Sequence, residues 1–294
     1  MSASSFAEWV QSTLSGTVGL LALFAIFVAV GIAETLRPER PGSELTARRW
    51  LGNLSLYGIT FAVPLLPVIG GATAAMLLFV PHYDLLHRLG LPTWLHLIVG
   101  ILLLDLVSYA SHRISHGVGF LWRLHAVHHS DPDVDVTTTL RHHPVEQFVV
   151  GLLTGSVIVL LGFSPLEVAI FSWLAVAVQL VAHGNLAIPL RLEAVLRRVI
   201  VTPGFHRLHH SRLRHETDAN YGTIFPFWDM LLGTARYRGA QERESLEFGL
   251  DAFPSERSQK LHWMLIQPVL AQAGGSSFIS RPFRETKQPA QSAR

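Results

Sequence analysis

The chain has 294 residues, is 49% hydrophobic and only 15% charged, and has a mean hydropathy of +0.35. An average soluble domain is about 25% charged, so this profile excludes an ordinary soluble protein and points to one built into a bilayer. A net charge of +2 is too small to suggest a nucleic-acid partner, and the absence of cysteine excludes disulfides, thiolate metal ligands and cysteine nucleophiles.

Taken in chain order, apolar runs at Val18–Ile32, Leu56–Val80, Leu95–Tyr109, Phe148–Phe163 and Leu166–Val181 are each long enough to cross much or all of a ~30 Å hydrocarbon core. Met1–Gly16 lacks a basic leader and no small-residue cleavage site follows Ile32, so the first run reads as a retained anchor. Arg37, Arg40, Arg48 and Arg49 follow it. The positive-inside rule places that segment in the cytoplasm and the N-terminus outside. Counting spans from there delivers Ser111–Pro144 to the cytoplasmic side. The next two runs, split only by Ser164-Pro165, form a hairpin that returns His183 to the same face. Leu56–Val80 is long for one span, and Pro64, Pro67, Gly70 and Gly71 allow either a kink or a re-entrant hairpin, the second of which inverts the topology.

After Thr202 the chain is amphipathic, with an interfacial helix expected at Leu261–Gln272, and from Ala273 it is rich in Gly, Ser, Pro and Gln and is expected to be disordered. The fold class that follows is an all-α polytopic helical bundle of about four to five spans with its histidine-rich segments gathered in a cytoplasmic cap. Residues 1–94 form N-terminal membrane helices and their connections, 95–237 the catalytic domain, and 238–294 a polar tail. No repeat and no appended electron-carrier domain are recognisable.

Sixteen histidines, about one residue in eighteen, lie mainly between Ser111 and Glu216. They form three motifs: His112-Arg-Ile-Ser-His116, His125-Ala-Val-His128-His129 and His206-Arg-Leu-His209-His210. Spacings of three and four suit one face of a helix, so two imidazoles can grip one ion while a third reaches a second ion nearby. At this histidine frequency, chance gives about 0.05 occurrences of His-x-x-His-His in such a chain, and two are present. His183, at the end of an apolar run, is costly there unless it ligates. His143 reads equally as a ligand or as a donor to one, His142 as less important, His215 as a surface residue, and His82, His87, His96 and His262 as interfacial or capping residues. A ligating histidine usually passes its other N–H to a carboxylate or carbonyl, and Asp105, Asp131, Glu146, Asp218 and Asp229 are candidates for that task.

The motifs HRISH at 112–116, HAVHHS at 125–130, RHHPVE at 141–146, HGN at 183–185, HRLHHS at 206–211, TDANYG at 217–222 and FWDMLLGT at 227–234 resemble, in content and order, those of the fatty acid hydroxylase (sterol desaturase) superfamily in its bacterial branch. The resemblance covers roughly Leu95–Tyr237. It implies a membrane domain whose cap holds two iron ions, with zinc as a substitute in purified protein. It also implies dioxygen as co-substrate, a lipid substrate that is hydroxylated or desaturated, and a separate electron donor such as a ferredoxin, cytochrome or reductase. The metal ligands it implies are His112, His116, His125, His128, His129, His183, His206, His209 and His210, with His143 as a further candidate. Asn220 and Tyr221 join the supporting residues. Some relatives carry a second histidine shortly after the position of His183, and here Gly184–Leu190 has none, so the division of ligands between the metals stays open.

An unactivated C–H bond does not yield to acid–base chemistry, so oxidising a lipid chain calls for metal-activated dioxygen and two electrons. A zinc hydrolase is the first rival, but His215-Glu216 is followed by Ala219 where an HExxH motif requires histidine. A metal transporter or sensor is the second, and it should place ligands at mid-membrane rather than beyond the span ends. The donor is expected to dock on a basic surface near Arg207, Arg212 and Arg214.

Overall fold

The computed structural model describes residues 3–43, 46–63, 78, 85–239, 245–253 and 256–273. Among them the secondary structure is helical, with two isolated bridges, Pro38–Leu186 and Ser211–Phe248. Four helices are long and apolar enough to cross a membrane: α2 (Thr17–Leu36), α4 (Thr93–Gly117), α6 (Pro144–Leu161) and α7 (Pro165–His183). A further helix, α1 (Ala3–Ser15), precedes the first span and packs on α2 and α7. Its apolar stripe of Phe6, Trp9, Val10 and Leu14 is too interrupted to register as a span.

Between the first two spans, α3 (Thr46–Ala62) begins ten residues before the apolar run that was expected to open at Leu56. Its buried residues Arg49, Gly52, Asn53 and Leu56 explain why: the helix is held by its polar face as well as its apolar one. The kink-or-hairpin question over Pro64, Pro67, Gly70 and Gly71 lies outside the described residues, as does the tail expected to be disordered beyond Ala273.

At 25 residues α4 is roughly 37 Å long, which exceeds a ~30 Å core and carries His112 and His116 on its last turns. Val118 ends it, and α5 (Gly119–His129) turns back with the second histidine motif at its C-terminal end. A 3-10 turn at Val136–Leu140, capped by Asp135, leads to His143, whose ring accepts the Val145 N–H to cap α6, with Pro144 at its first position. Gly162, at φ +76°, closes α6 in the left-handed conformation that glycine adopts without strain. Ser164 and Glu167 then open α7 with a reciprocal capping box.

Consequently α2, α4 and α7 run toward the histidine end while α3 and α6 run away from it. At that end the chain continues through α8 (Leu190–Leu196), α9 (Pro203–His209), α10 (Arg214–Thr217) and α11 (Phe227–Leu231). The helix expected at Leu261–Gln272 is α12 (Leu261–Ala273), packed on α3 and α5 around the buried Met264. Arg40 and Arg49 lie at the same end, joined to the cap through the Leu246 carbonyl and Asp131 respectively.

Candidate metal centre

Two groups of imidazoles meet where α4, α5, α7 and α9 converge. His112, His116, His125, His129 and His209 form one; His128, His183, His206 and His210 form the other. Within each group the ligand atoms lie within 4.8 Å of one another, and all nine rings are buried or nearly so. The two His-x-x-His-His motifs are used in opposite senses. His125 and His129 join the first group and His128 the second, whereas His206 and His210 join the second and His209 the first. Each motif therefore straddles both groups, as residues one, three and four positions apart on a helix turn must when two centres sit side by side.

The hydrogen bonds show which nitrogen each ring presents. Nδ1 donates to a carbonyl in His112 (Tyr221, 3.0 Å), His128 (Arg141, 3.2 Å), His183 (Gln179, 2.8 Å) and His209 (Ala219, 2.6 Å), and to a carboxylate in His125 (Glu146, 2.6 Å). A neutral imidazole with its proton on Nδ1 has a bare lone pair on Nε2. These lone pairs face one another: His183 Nε2 is 3.2 Å from His128 Nε2 and 3.0 Å from His206 Nε2, and His125 Nε2 is 3.2 Å from His129 Nε2. His112, His116 and His209 Nε2 and both nitrogens of His210 are buried with no hydrogen-bond partner among the described residues. Buried polar atoms are normally satisfied, so converging lone pairs with none between them are what a pair of cations fits. Burial, reinforced by the neighbouring rings, pushes His128, His129, His206, His209 and His210 well below the usual histidine range and keeps them in the ligating, neutral form.

The supporting residues divide. Glu146 and Tyr221 touch the rings directly, the latter through its carbonyl and by edge contacts with His112, His116 and His209. Asp218 Oδ1 stands 3.4 Å from His116 Nδ1 and its other oxygen takes Arg214 Nε at 3.0 Å. Asp105, Asp131, Asn220 and Asp229 act one step further out. Asp105 accepts the Ile224 and Phe225 amides and the Trp228 indole, and Asp229 accepts the Tyr221 and Gly222 amides. Asn220, at φ +55°, ties the turn to the Phe205 and Arg236 carbonyls. Asp131 takes Arg49 Nε at 2.5 Å, Asn53 and the Thr138 hydroxyl.

His143 is not among the rings brought together. Its Nδ1 caps α6 and its Nε2 sits 3.2 Å from the Leu265 carbonyl, so both nitrogens are engaged away from the two groups. His142, ranked below it in sequence, stacks on His128 at 4.4 Å and 12°, approaches Glu146 at 3.4 Å and forms a third cluster with His125 and Glu146. Adjacent positions before a helix N-terminus point in different directions, and the sequence does not reveal which one faces inward. Of the three arginines expected at a docking surface, one lies inside the protein. Arg207 is buried, paired with Glu39 and stacked on Phe248, while Arg212 pairs with Asp251 and Glu247 and Arg214 with Asp218. A guanidinium inside the cap cannot meet a partner protein.

Below the histidines a cavity of about 400 Å³ extends between α3, α4, α6 and α7, with His112, His125, His128, His183 and His206 on its wall. Signals for its other lining residues, such as Ser108 and Gln179 in apolar helices and Thr223 in the loop before α11, are absent from the sequence because single hydroxyls and amides form no motif.

A helical membrane protein with paired polyhistidine centres at the head of an intramembrane cavity is the class defined by this fold and site. Residues 97–234 match the fatty acid hydroxylase family model. The chain is 31% identical over 170 residues to an alkylglycerol monooxygenase of Caenorhabditis elegans, covering 56% of this chain and 32% of that one. It is 34% identical over 146 residues to an ornithine lipid hydroxylase of Rhizobium tropici (49% and 42%), and 27% identical over 194 residues to human cholesterol 25-hydroxylase (60% and 68%). Thus the chain spans about a third to two fifths of the length of the first two. No solved structure matches.

Proposed function

We propose that this protein is a membrane di-iron oxygenase that hydroxylates a lipid with dioxygen and two electrons from a separate donor. The observation that carries it is the pair of histidine groups, five and four, whose bare Nε2 atoms converge at the head of the cavity. All-nitrogen sites suit iron or zinc among common metals, and two irons would supply the activation of dioxygen that side chains alone cannot. The names of the relatives, all hydroxylases or monooxygenases, favour hydroxylation over desaturation. In the balanced reaction one oxygen atom enters the C–H bond, and the other leaves as water with the two donor electrons and two protons.

The chain's own residues hold the site. Carbonyls of Tyr221, Arg141, Gln179 and Ala219 and the Glu146 carboxylate orient the rings, and the buried cap excludes bulk water. The ligand set follows the two groups above, without His143. A zinc hydrolase gains nothing from nine histidines and no positioned general base. The test is metal content and Mössbauer spectroscopy of protein grown in iron-57 medium, followed by exposure to ¹⁸O₂ in nanodiscs of host lipid with chemical reductant. About two irons per chain and one labelled oxygen in a lipid product are expected. Zinc alone, or no labelled lipid from iron-loaded protein, overturns it.

A further inference from the structure

The cavity beneath the histidines is polar at one end and apolar at the other. Ser108 on α4 and Gln179 on α7 stand four residues before His112 and His183, about 6 Å along their helices. They line the wall together with Ser111, Thr139 and Thr223. Further from the histidines the lining is Val150, Phe171, Ala175 and Val176, with Thr154 the one hydroxyl. Phe171 lies twelve residues before His183, about 18 Å along α7, and Thr154 eight residues beyond Glu146, about 12 Å along α6. The arms of the α6–α7 hairpin share α4 but otherwise pack on different neighbours, α6 on α3 and α5, and α7 on α1, α2 and α9, and this apolar end lies between them.

The polar end has unused hydrogen-bonding capacity. Ser108 and Thr223 hydroxyls share one bond at 2.7 Å, which consumes one of their two protons. Gln179 donates through Nε2 to the Thr223 carbonyl at 2.6 Å, leaving its Oε1 without a partner among the described residues. An amide and several hydroxyls within a helical membrane core are costly unless a partner satisfies them. A hydrocarbon chain cannot do so.

Resting on the lipid-oxidation reading above, we infer that the substrate enters with a hydrogen-bonding group, a hydroxyl, ether or amide, against Gln179 and the Ser108–Thr223 pair, and that the carbon oxidised lies within a few bonds of it. The apolar chain then runs away between α6 and α7. Mid-chain or chain-end methylenes are therefore not the target, and Gln179, Ser108 and Thr223 determine specificity.

Two photoreactive alkylglycerols test this on full-length protein in nanodiscs, one with a diazirine beside the ether and one with it near the chain end. The first is expected to label the peptide around Ser108–Ser115 and the second those around Val150–Thr154 and Phe171–Val176. Reversed or indistinguishable labelling overturns the inference, and no turnover is needed to read it. Gln179→Leu, and Ser108→Ala with Thr223→Val, are each expected to weaken binding of the alkylglycerol about tenfold. An unsubstituted alkane of the same length should bind the variants and the parent alike, and equal weakening of both ligands marks a merely structural effect and overturns the assignment. In the ¹⁸O₂ experiment, oxygen inserted far from any polar group sinks this inference alone. Absence of labelled lipid sinks the reading beneath it.

Discussion

His209 and His128 occupy the position in each histidine motif that crosses to the other metal group, so each is the only contribution of its own motif to its group. His128→Ala and His209→Ala are expected to lower bound iron by about one ion per chain each. Inductively coupled plasma analysis checks this, and full retention of metal in either variant contradicts the division. Glu146 holds His125 at 2.6 Å, and Glu146→Gln is expected to weaken metal binding roughly 10–100-fold in a chelator competition, the usual cost of losing such a support. His143→Ala should leave metal content unchanged. Arg49 is buried between Asp131 and Asp135, and removing one partner of such a cluster costs about 3–5 kcal/mol, so Arg49→Met should unfold at markedly lower temperature. Burial alone would raise the Asp131 carboxyl, but Arg49, with Arg141 behind it, holds it below the usual carboxylate range. A depressed carboxyl contributes stability above its unfolded value of about 3.9 and loses it as pH falls through the folded value. The melting-temperature gap between parent and Asp131→Asn should thus hold from neutral pH to about pH 5 and shrink below pH 4.

Where α4 crosses the start of α7, Gly100 lets the helices approach so closely that a Cβ there would sit 2.1 Å from Glu167 Oε1. Glu167 in turn caps its own helix through Ser164 and meets His96 at 2.9 Å, which gives His96 the structural role expected of it. Gly100→Ala must separate the helices or displace that carboxylate, and overpacking of this kind costs about 1–3 kcal/mol. A lowered melting temperature with iron per folded chain unchanged is the expected result; metal loss without destabilisation would show that the crossing, about 18 Å along α4 from His112, governs the centre. The four spans α2, α4, α6 and α7 were legible in the sequence because apolar runs of that length have few alternatives. The onset of α3 was not, since its first turns are held by Arg49 and Asn53 reaching across to the loop after α5.

Every histidine of the two groups, Arg40, Arg49 and the cap lie at one end of the bundle, and the turn before α4 lies at the other. The chain has no cysteine, so single cysteines report sidedness without background. Ser43→Cys and Glu247→Cys are expected to react with an impermeant maleimide from the same face of sealed vesicles, and Arg88→Cys from the opposite face. The positive-inside rule predicts that the first face is the cytoplasmic one. Labelling of Ser43→Cys and Glu247→Cys from different faces would contradict the arrangement.

Local pattern was enough for the spans, the histidine motifs and the family resemblance, because helix length, i to i+4 spacing and charge bias are properties of neighbouring residues. Which histidine falls in which group, the placing of His142 rather than His143 beside them, the burial of Arg207 and the polar-to-apolar course of the cavity were decided only by tertiary structure. Each depends on which side chains from α4, α5, α7, α9 and the residues 218–228 meet in space, and no single segment encodes that meeting.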